Sequence, residues 1–303
     1  MQKIIFSTLL TVSLSLLQAQ ETVLPAKEQK GSFYLTNATI HIGNGKVIQN
    51  GTIKVTNGKI EAVGDNIAVP AGADNVTNLK GQDLYPGLIL PTSTLGLIEV
   101  SSVRATQDAR EIGEMNPSVR SIVAYNSDSK VINTLRSNGI LLANVVPQGN
   151  FVAGTSSVVQ LDAWNWEDAS IKNDDAIHIN WPSSFTSGRW WLGEDPALKP
   201  DKNYLKETQE IASFFKDAKQ YHNKENLIKN LPFSSIKGLF IGSQKLFIHA
   251  NGQREITDAI NMAKDMGINN LVLVNGHEAE KVSALLVEHN IPVILERPHR
   301  NPE

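Results

Sequence analysis

Tyr85-Pro-Gly-Leu-Ile-Leu-Pro-Thr-Ser-Thr-Leu-Gly-Leu97 is the stretch on which the fold turns. A Pro-Gly entry leads into an apolar run, and the spacing predicts a strand that closes on Thr92 and Thr94. Alternate residues of a strand project to one side, so the two threonines share a face. A pair of histidines at those points could reach one divalent ion, whereas neutral hydroxyls are poor ligands for it. The plainer reading of both is a good strand residue whose hydroxyl pairs locally.

Upstream of this stretch, Phe33 to Ile42, Gly51 to Val55 and Lys59 to Val63 alternate or run β-branched, with Gly43-Asn-Gly45 and Asn57-Gly58 between them. That pattern predicts a meander of short antiparallel strands. Downstream, Val119 to Asn138 carries helix-like apolar spacing and stops at Gly139. Ile140 to Val146 has the length of a buried parallel strand, and Ser156 to Leu161 alternates as another. Trp164 to Lys202 is irregular and holds all five tryptophans, with a strand expected at Ala176 to Ile179. Asn203 to Leu227 reads as a long amphipathic helix with Leu205, Ile211, Phe214, Phe215 and Ala218 on one side.

The last third has the clearest rhythm. Strands at Lys245 to His249, Asn270 to Val274 and Pro292 to Leu295 alternate with helices at Gln253 to Met266 and Ala279 to His289. Such alternation implies parallel strands covered by helices.

Composition narrows the function classes. At 303 residues the chain can bury a large core, and a net charge of -3 gives no electrostatic case for nucleic acid. The absence of cysteine removes disulfides, thiolate nucleophiles, cysteine zinc sites and a lipidated cysteine. No Gly-x-Ser-x-Gly elbow and no dinucleotide fingerprint occurs, and Gly149 and Gly154 match no phosphate loop. Met1-Gln-Lys3, the apolar run Ile4 to Leu17 and Gln18-Ala19-Gln20 read as a signal peptide. The expectation is a secreted or periplasmic protein with no membrane span after signal cleavage.

Tyr34-Leu-Thr-Asn-Ala-Thr-Ile-His-Ile-Gly-Asn-Gly45, with Gly51 to Val55, Gly58 to Gly64 and the entry Leu84-Tyr-Pro-Gly-Leu-Ile89, resembles the start of the amidohydrolase superfamily, in its imidazolonepropionase-like branch. The resemblance spans about residues 33 to 297. It implies an α/β fold, a partial TIM-like metal-dependent hydrolase barrel preceded by a small β-sandwich. The expected organisation is a signal peptide at 1–20, a flexible arm at 21–32, the sandwich at 33–84 and the barrel at 85–303, lacking its eighth strand.

The same resemblance implies one divalent metal, zinc, held by His249 and His277 at the ends of the fifth and sixth strands. Thr92 and Thr94 stand where the superfamily has its first two histidines, and Leu90 where an acidic residue commonly precedes them. No catalytic base is identified. The implied activity is hydrolysis of a carbon–nitrogen bond in a small-molecule amide or cyclic amide by metal-activated water. The alternative is a catalytically inactive subunit or binding module, as a homo-oligomer or paired with an intact amidohydrolase. A third reading uses the tryptophan-rich insert to bind a ligand.

Overall fold

The computed structural model describes residues 25–73, 75–224 and 228–295. The signal peptide expected at 1–20 lies outside them. The chain divides into two compact units, Met1–Pro86 and Gly87–Glu303.

In the first unit, β1 (Ser32–His41), β2 (Val47–Thr56) and β3 (Lys59–Gly64) form the expected antiparallel meander. Two short strands, β4 (Val76–Asn78) and β5 (Asp83–Leu84), pair with β1 in the parallel sense. Ala38, Ile40 and Ile53 form the small core of this sheet, because alternate residues of β1 and β2 point to one face.

The second unit is built on a seven-stranded, nearly closed barrel sheet. In chain order its strands are β6 (Leu88–Ser93), β7 (Ile140–Val145), β8 (Val152–Gln160), β9 (Ser170–Asn180), β12 (Lys245–Ala250), β13 (Leu271–Asn275) and β14 (Val293–Ile294). They lie side by side in that sequence. The intervening β10 (Phe185–Thr186) and β11 (Lys199–Pro200) make a separate two-stranded hairpin.

β6 and β7 are parallel, as are β9, β12, β13 and β14, but β8 runs against both of its neighbours. The reason is connection length. Residues 146–151 and 161–169 are too few for a crossover, which needs about a dozen residues or more, so each joins its strands as a hairpin.

Period-two alternation sorts the sheet's two faces. Ile177, Ile179, Leu246, Ile248, Leu271 and Leu273 pack outward on the helices Tyr204–His222 and Gln253–Asp265, where Ile211, Phe215, Ile256 and Ile260 are fully buried. Their alternation partners Ala176, Phe247, Val272 and Val274 form an inner cluster with Ile294. Each large aliphatic or aromatic side chain so buried contributes about 1.5–3 kcal/mol, which is how the helices are held to the sheet.

Several sequence expectations need correction. The helix expected over 119–138 is a 3-10 turn at Ser121–Ala124 and a helix at Lys130–Ser137. Between them Asn126 Oδ1 accepts from the Asp128 N–H at 3.0 Å, a local turn that competes with helical bonding. Leu205 faces solvent rather than the core of its helix. The helix expected at 279–289 opens as a 3-10 turn, Ala279–Val282, before Ser283–Glu288. The strand expected at 176–179 extends over all of β9.

Candidate functional site

Parallel strands carry their functional groups at their C-terminal ends, and there the second unit opens a polar cavity of about 580 Å³. Thr92, Ser93 and Thr94 from the end of β6 line it, with Asn180 and His249 from the ends of β9 and β12. Val146 to Gly149, which follow β7, and Arg110 complete the wall.

Inward-facing alternation decides which side chains arrive here. On β9 the inner residues are Ala176, His178 and Asn180, and on β12 they are Phe247 and His249. His178 is fully buried below the cavity, and its Nδ1 lies 3.0 Å from Nε2 of His249. Its Nε2 lies 2.8 Å from Oγ of the buried Ser156 on β8. A chain Ser156–His178–His249 therefore runs from the barrel interior to the cavity wall.

Burial, and secondarily the neighbouring His249 imidazole, hold the pKa of His178 well below the usual histidine range. It is neutral at pH 7, so one of its nitrogens donates and the other accepts. With His178 Nε2 donating to Ser156, its Nδ1 accepts from His249 Nε2–H and the His249 lone pair is placed on Nδ1. Reversing all the donors gives the alternative tautomers.

Backbone contacts fix the rim. The Asn180 amide donates to the carbonyls of Gly149 and Asn150 at 3.0 and 2.8 Å, and Val146 N–H donates to Ser93 O at 2.8 Å. Gln148 N–H donates to Ala109 O at 2.6 Å beside a parallel bridge between Arg110 and Gln148. Below the rim, the buried Asn144 amide donates to Pro91 O at 3.1 Å, while its Oδ1 has no partner among the described residues.

The structure thus brings Thr92, Thr94 and His249 to one cavity. His277 sits exposed in the turn after β13 and is not among the lining residues. Among the described residues no group of three or more histidines, aspartates or glutamates could hold a metal ion. A catalytic divalent site takes about three protein ligands, and the two imidazoles that do meet are bonded to each other. Among the described residues the donor set does not fit a resident ion.

Sequence reading missed His178, Ser156, Asn180 and Arg110. A histidine inside the apolar run Ala176 to Ile179 was the available signal for the first. Arg110 sits in a loop, where no periodicity marks it. Of the tryptophans, Trp181 is buried and its Nε1 donates to Tyr204 Oη at 3.2 Å. Trp190 and Trp191 are exposed, and none of the five lines the cavity.

No family model and no curated protein matches this sequence. Among solved structures, an amidohydrolase from Thermotoga maritima superposes with a TM-score of 0.74 at 24% identity, covering 87% of this chain and 70% of that one. A prolidase complexed with N-methylphosphonate-L-proline gives 0.47 at 12% identity, covering 87% and 66% of the two chains. Guanine deaminase from C. acetobutylicum gives 0.37 at 12% identity, covering 88% and 74%. The first of these likenesses defines the fold; the other two are too slight to carry an argument.

Proposed function

The chain carries the amidohydrolase fold, and from that premise we propose that it hydrolyses a carbon–nitrogen bond of a small molecule, an amide or cyclic amide, at the barrel mouth. The observation that supports this reading is His249, a half-buried imidazole in a polar cavity whose Nε2 is held by a buried, neutral second imidazole. A base needs a set tautomer and orientation before it can take a proton from an attacking water. His178, itself held by Ser156, fixes the orientation of the His249 ring without adding charge. The hydroxyls of Thr92 and Thr94 stand in the same cavity and can donate to the oxygen that becomes negative as the carbonyl is attacked. No step is routed through a metal, because the donor set among the described residues does not fit one.

The test is release of ammonia or amine from a panel of small amides and cyclic amides by the purified protein. His249→Ala should lower the rate by about 100-fold or more, the usual contribution of a positioned base, with the melting temperature retained. Metal analysis should show substoichiometric ion, and chelators should leave the rate unchanged. Turnover that survives His249→Ala, or that a chelator abolishes, refutes the proposed role of His249.

A second reading, a non-catalytic binding barrel, is favoured by Thr92 and Thr94 lining the cavity without a cluster of metal ligands. Ligand binding at the mouth with no turnover on any substrate would support it. The apolar run Ile4 to Leu17 supports export, which fractionation of expressing cells tests directly.

A further inference from the structure

We infer that the tip of the β10–β11 hairpin seats on the surface of a lipid bilayer, with Trp190, Trp191 and Leu192 entering its headgroup layer. This goes beyond the reading of the barrel mouth, because none of these three side chains lines that cavity.

The hairpin is held at its root and turned outward at its end. Phe185 pairs with Pro200 and Thr186 with Lys199. Beyond them Gly188 N–H donates to Asp195 O at 3.1 Å, a neck so close that a Cβ on Gly188 would stand 2.4 Å from that oxygen. The root is tied down by the buried Glu255, whose Oε1 accepts from the Ser184 N–H at 2.7 Å. At the end, Trp190–Leu192 forms a 3-10 turn in which no residue is buried. Trp190 and Trp191 stand edge to face with centroids 6.1 Å apart, and they are 71% and 65% exposed. Phe185, Leu192 and Leu198 are exposed on the same hairpin.

Charge is managed in the opposite way. The charged residues between 185 and 200 are Arg189, Glu194, Asp195 and Lys199, and they sum to zero. Arg189 meets Glu194 at 3.4 Å and Lys199 meets Asp195 at 2.8 Å. The hairpin thus ties its charged groups to one another and presents its apolar ones, which marks a contact surface rather than a solvated loop.

Size and shape decide between a protein and a bilayer. At the roughly 150–250 Å² that an aromatic side chain can bury, the exposed parts of Trp190, Trp191 and Phe185 offer roughly 300–500 Å². A stable protein interface takes about 800 Å² from each partner, with a polar rim and matched shapes. A bilayer needs no matched surface, and an indole suits it: the apolar body enters the acyl boundary while the N–H stays at headgroup level. Because the hairpin carries no net charge, the attachment draws on apolar burial and not on anionic lipid.

Vesicles of phosphatidylcholine with brominated acyl chains test this on the full chain. Bromine quenches indoles that reach the acyl boundary, and the apolar run Ile4 to Leu17 holds no tryptophan, so binding through that run is not read as quenching. Tryptophan emission should fall as vesicles are added, equally at low and high salt. Trp190→Ser combined with Trp191→Ser should abolish the fall while keeping the urea midpoint, since both side chains are exposed. Leu192→Asp keeps every tryptophan and should raise the lipid concentration for half-maximal quenching about tenfold or more. Sedimentation over a range of protein concentrations reads the competing occupant, a second copy of the chain. No quenching in the unmodified protein, quenching that persists in the double variant or is unmoved by Leu192→Asp, quenching that requires anionic lipid and fades with salt, or a dimer that the double variant dissolves overturns the inference.

Discussion

The buried His178 should make the barrel unit sensitive to mild acid. In the unfolded chain this imidazole titrates near its ordinary value, about 6.5. In the folded chain burial and the adjacent His249 depress it, so the folded state refuses a proton that the unfolded state accepts. The sign follows: a depressed histidine contributes no loss above the unfolded pKa, and stability falls as pH drops below it. Each unit of pH below about 6.5 should cost about 1.4 kcal/mol until the folded state also takes the proton. The loss accumulates over the pH range between the unfolded and the folded pKa, against a total of about 5–15 kcal/mol typical of a domain.

The assay is urea unfolding followed by tryptophan fluorescence, since all five tryptophans lie between residues 164 and 191 and report this unit. His178→Gln removes the titrating group and lowers stability by a roughly constant amount at every pH. The measured quantity is the difference between the two pH slopes, because carboxylates and exposed histidines contribute alike to both proteins. A wild-type curve that runs parallel to the variant between pH 7.5 and 5 would show that His178 is not held neutral by burial.

Two further outcomes are expected. Gly96 has φ +72°, and a Cβ there would lie 2.6 Å from the Tyr125 ring and 2.9 Å from the Asn126 carbonyl, so Gly96→Ala should cost about 1–3 kcal/mol; an unchanged urea midpoint would refute the strain. Burial pushes the Glu255 carboxyl up, but the N–H groups of Gly252 and Ser184 and the hydroxyls of Ser183 and Ser184 outweigh it and hold the pKa below the usual range. Its contribution is present above the unfolded carboxyl pKa and is lost as pH falls through the lower folded one. Glu255→Gln should therefore destabilise by about 1–3 kcal/mol at pH 7 and flatten the acid limb, as read by thermal melts from pH 7 to 3.

Much of the architecture was legible because it is local. β12, β13 and the helix Gln253–Asp265 follow from periods of 2 and 3.6, and their expected limits differ from the observed ones by a residue or two. β1 to β3 were legible from turn glycines and asparagines. The split of the 119–138 segment was not, because a hydrogen bond inside Asn126-Ser-Asp128 overrides an amphipathic pattern that spans it. Nor was the reversed direction of β8, which follows from short connections at 146–151 and 161–169 only once the strand ends are known. Leu205 shows the same limit from the other side: helical spacing aligned it with Ile211 and Phe215, and packing left it in solvent.

The candidate site divides in the same way. Sequence alone determined that Thr92 and Thr94 share a strand end and that His249 closes another, since strand alternation is set by covalent geometry. It also determined that no cysteine chemistry is available. Only the tertiary structure decided which of these groups meet. His249 lies 71 residues along the chain from His178, and Ser156 a further 22 residues before it, yet hydrogen bonds of 3.0 and 2.8 Å join the three. That meeting depends on the register of β8, β9 and β12, which is set by packing of their outer faces on helices and leaves no trace in local spacing. His277, with an equally suggestive position in the sequence, was left in an exposed turn for the same reason: one residue past Gly276 the chain has already left the sheet.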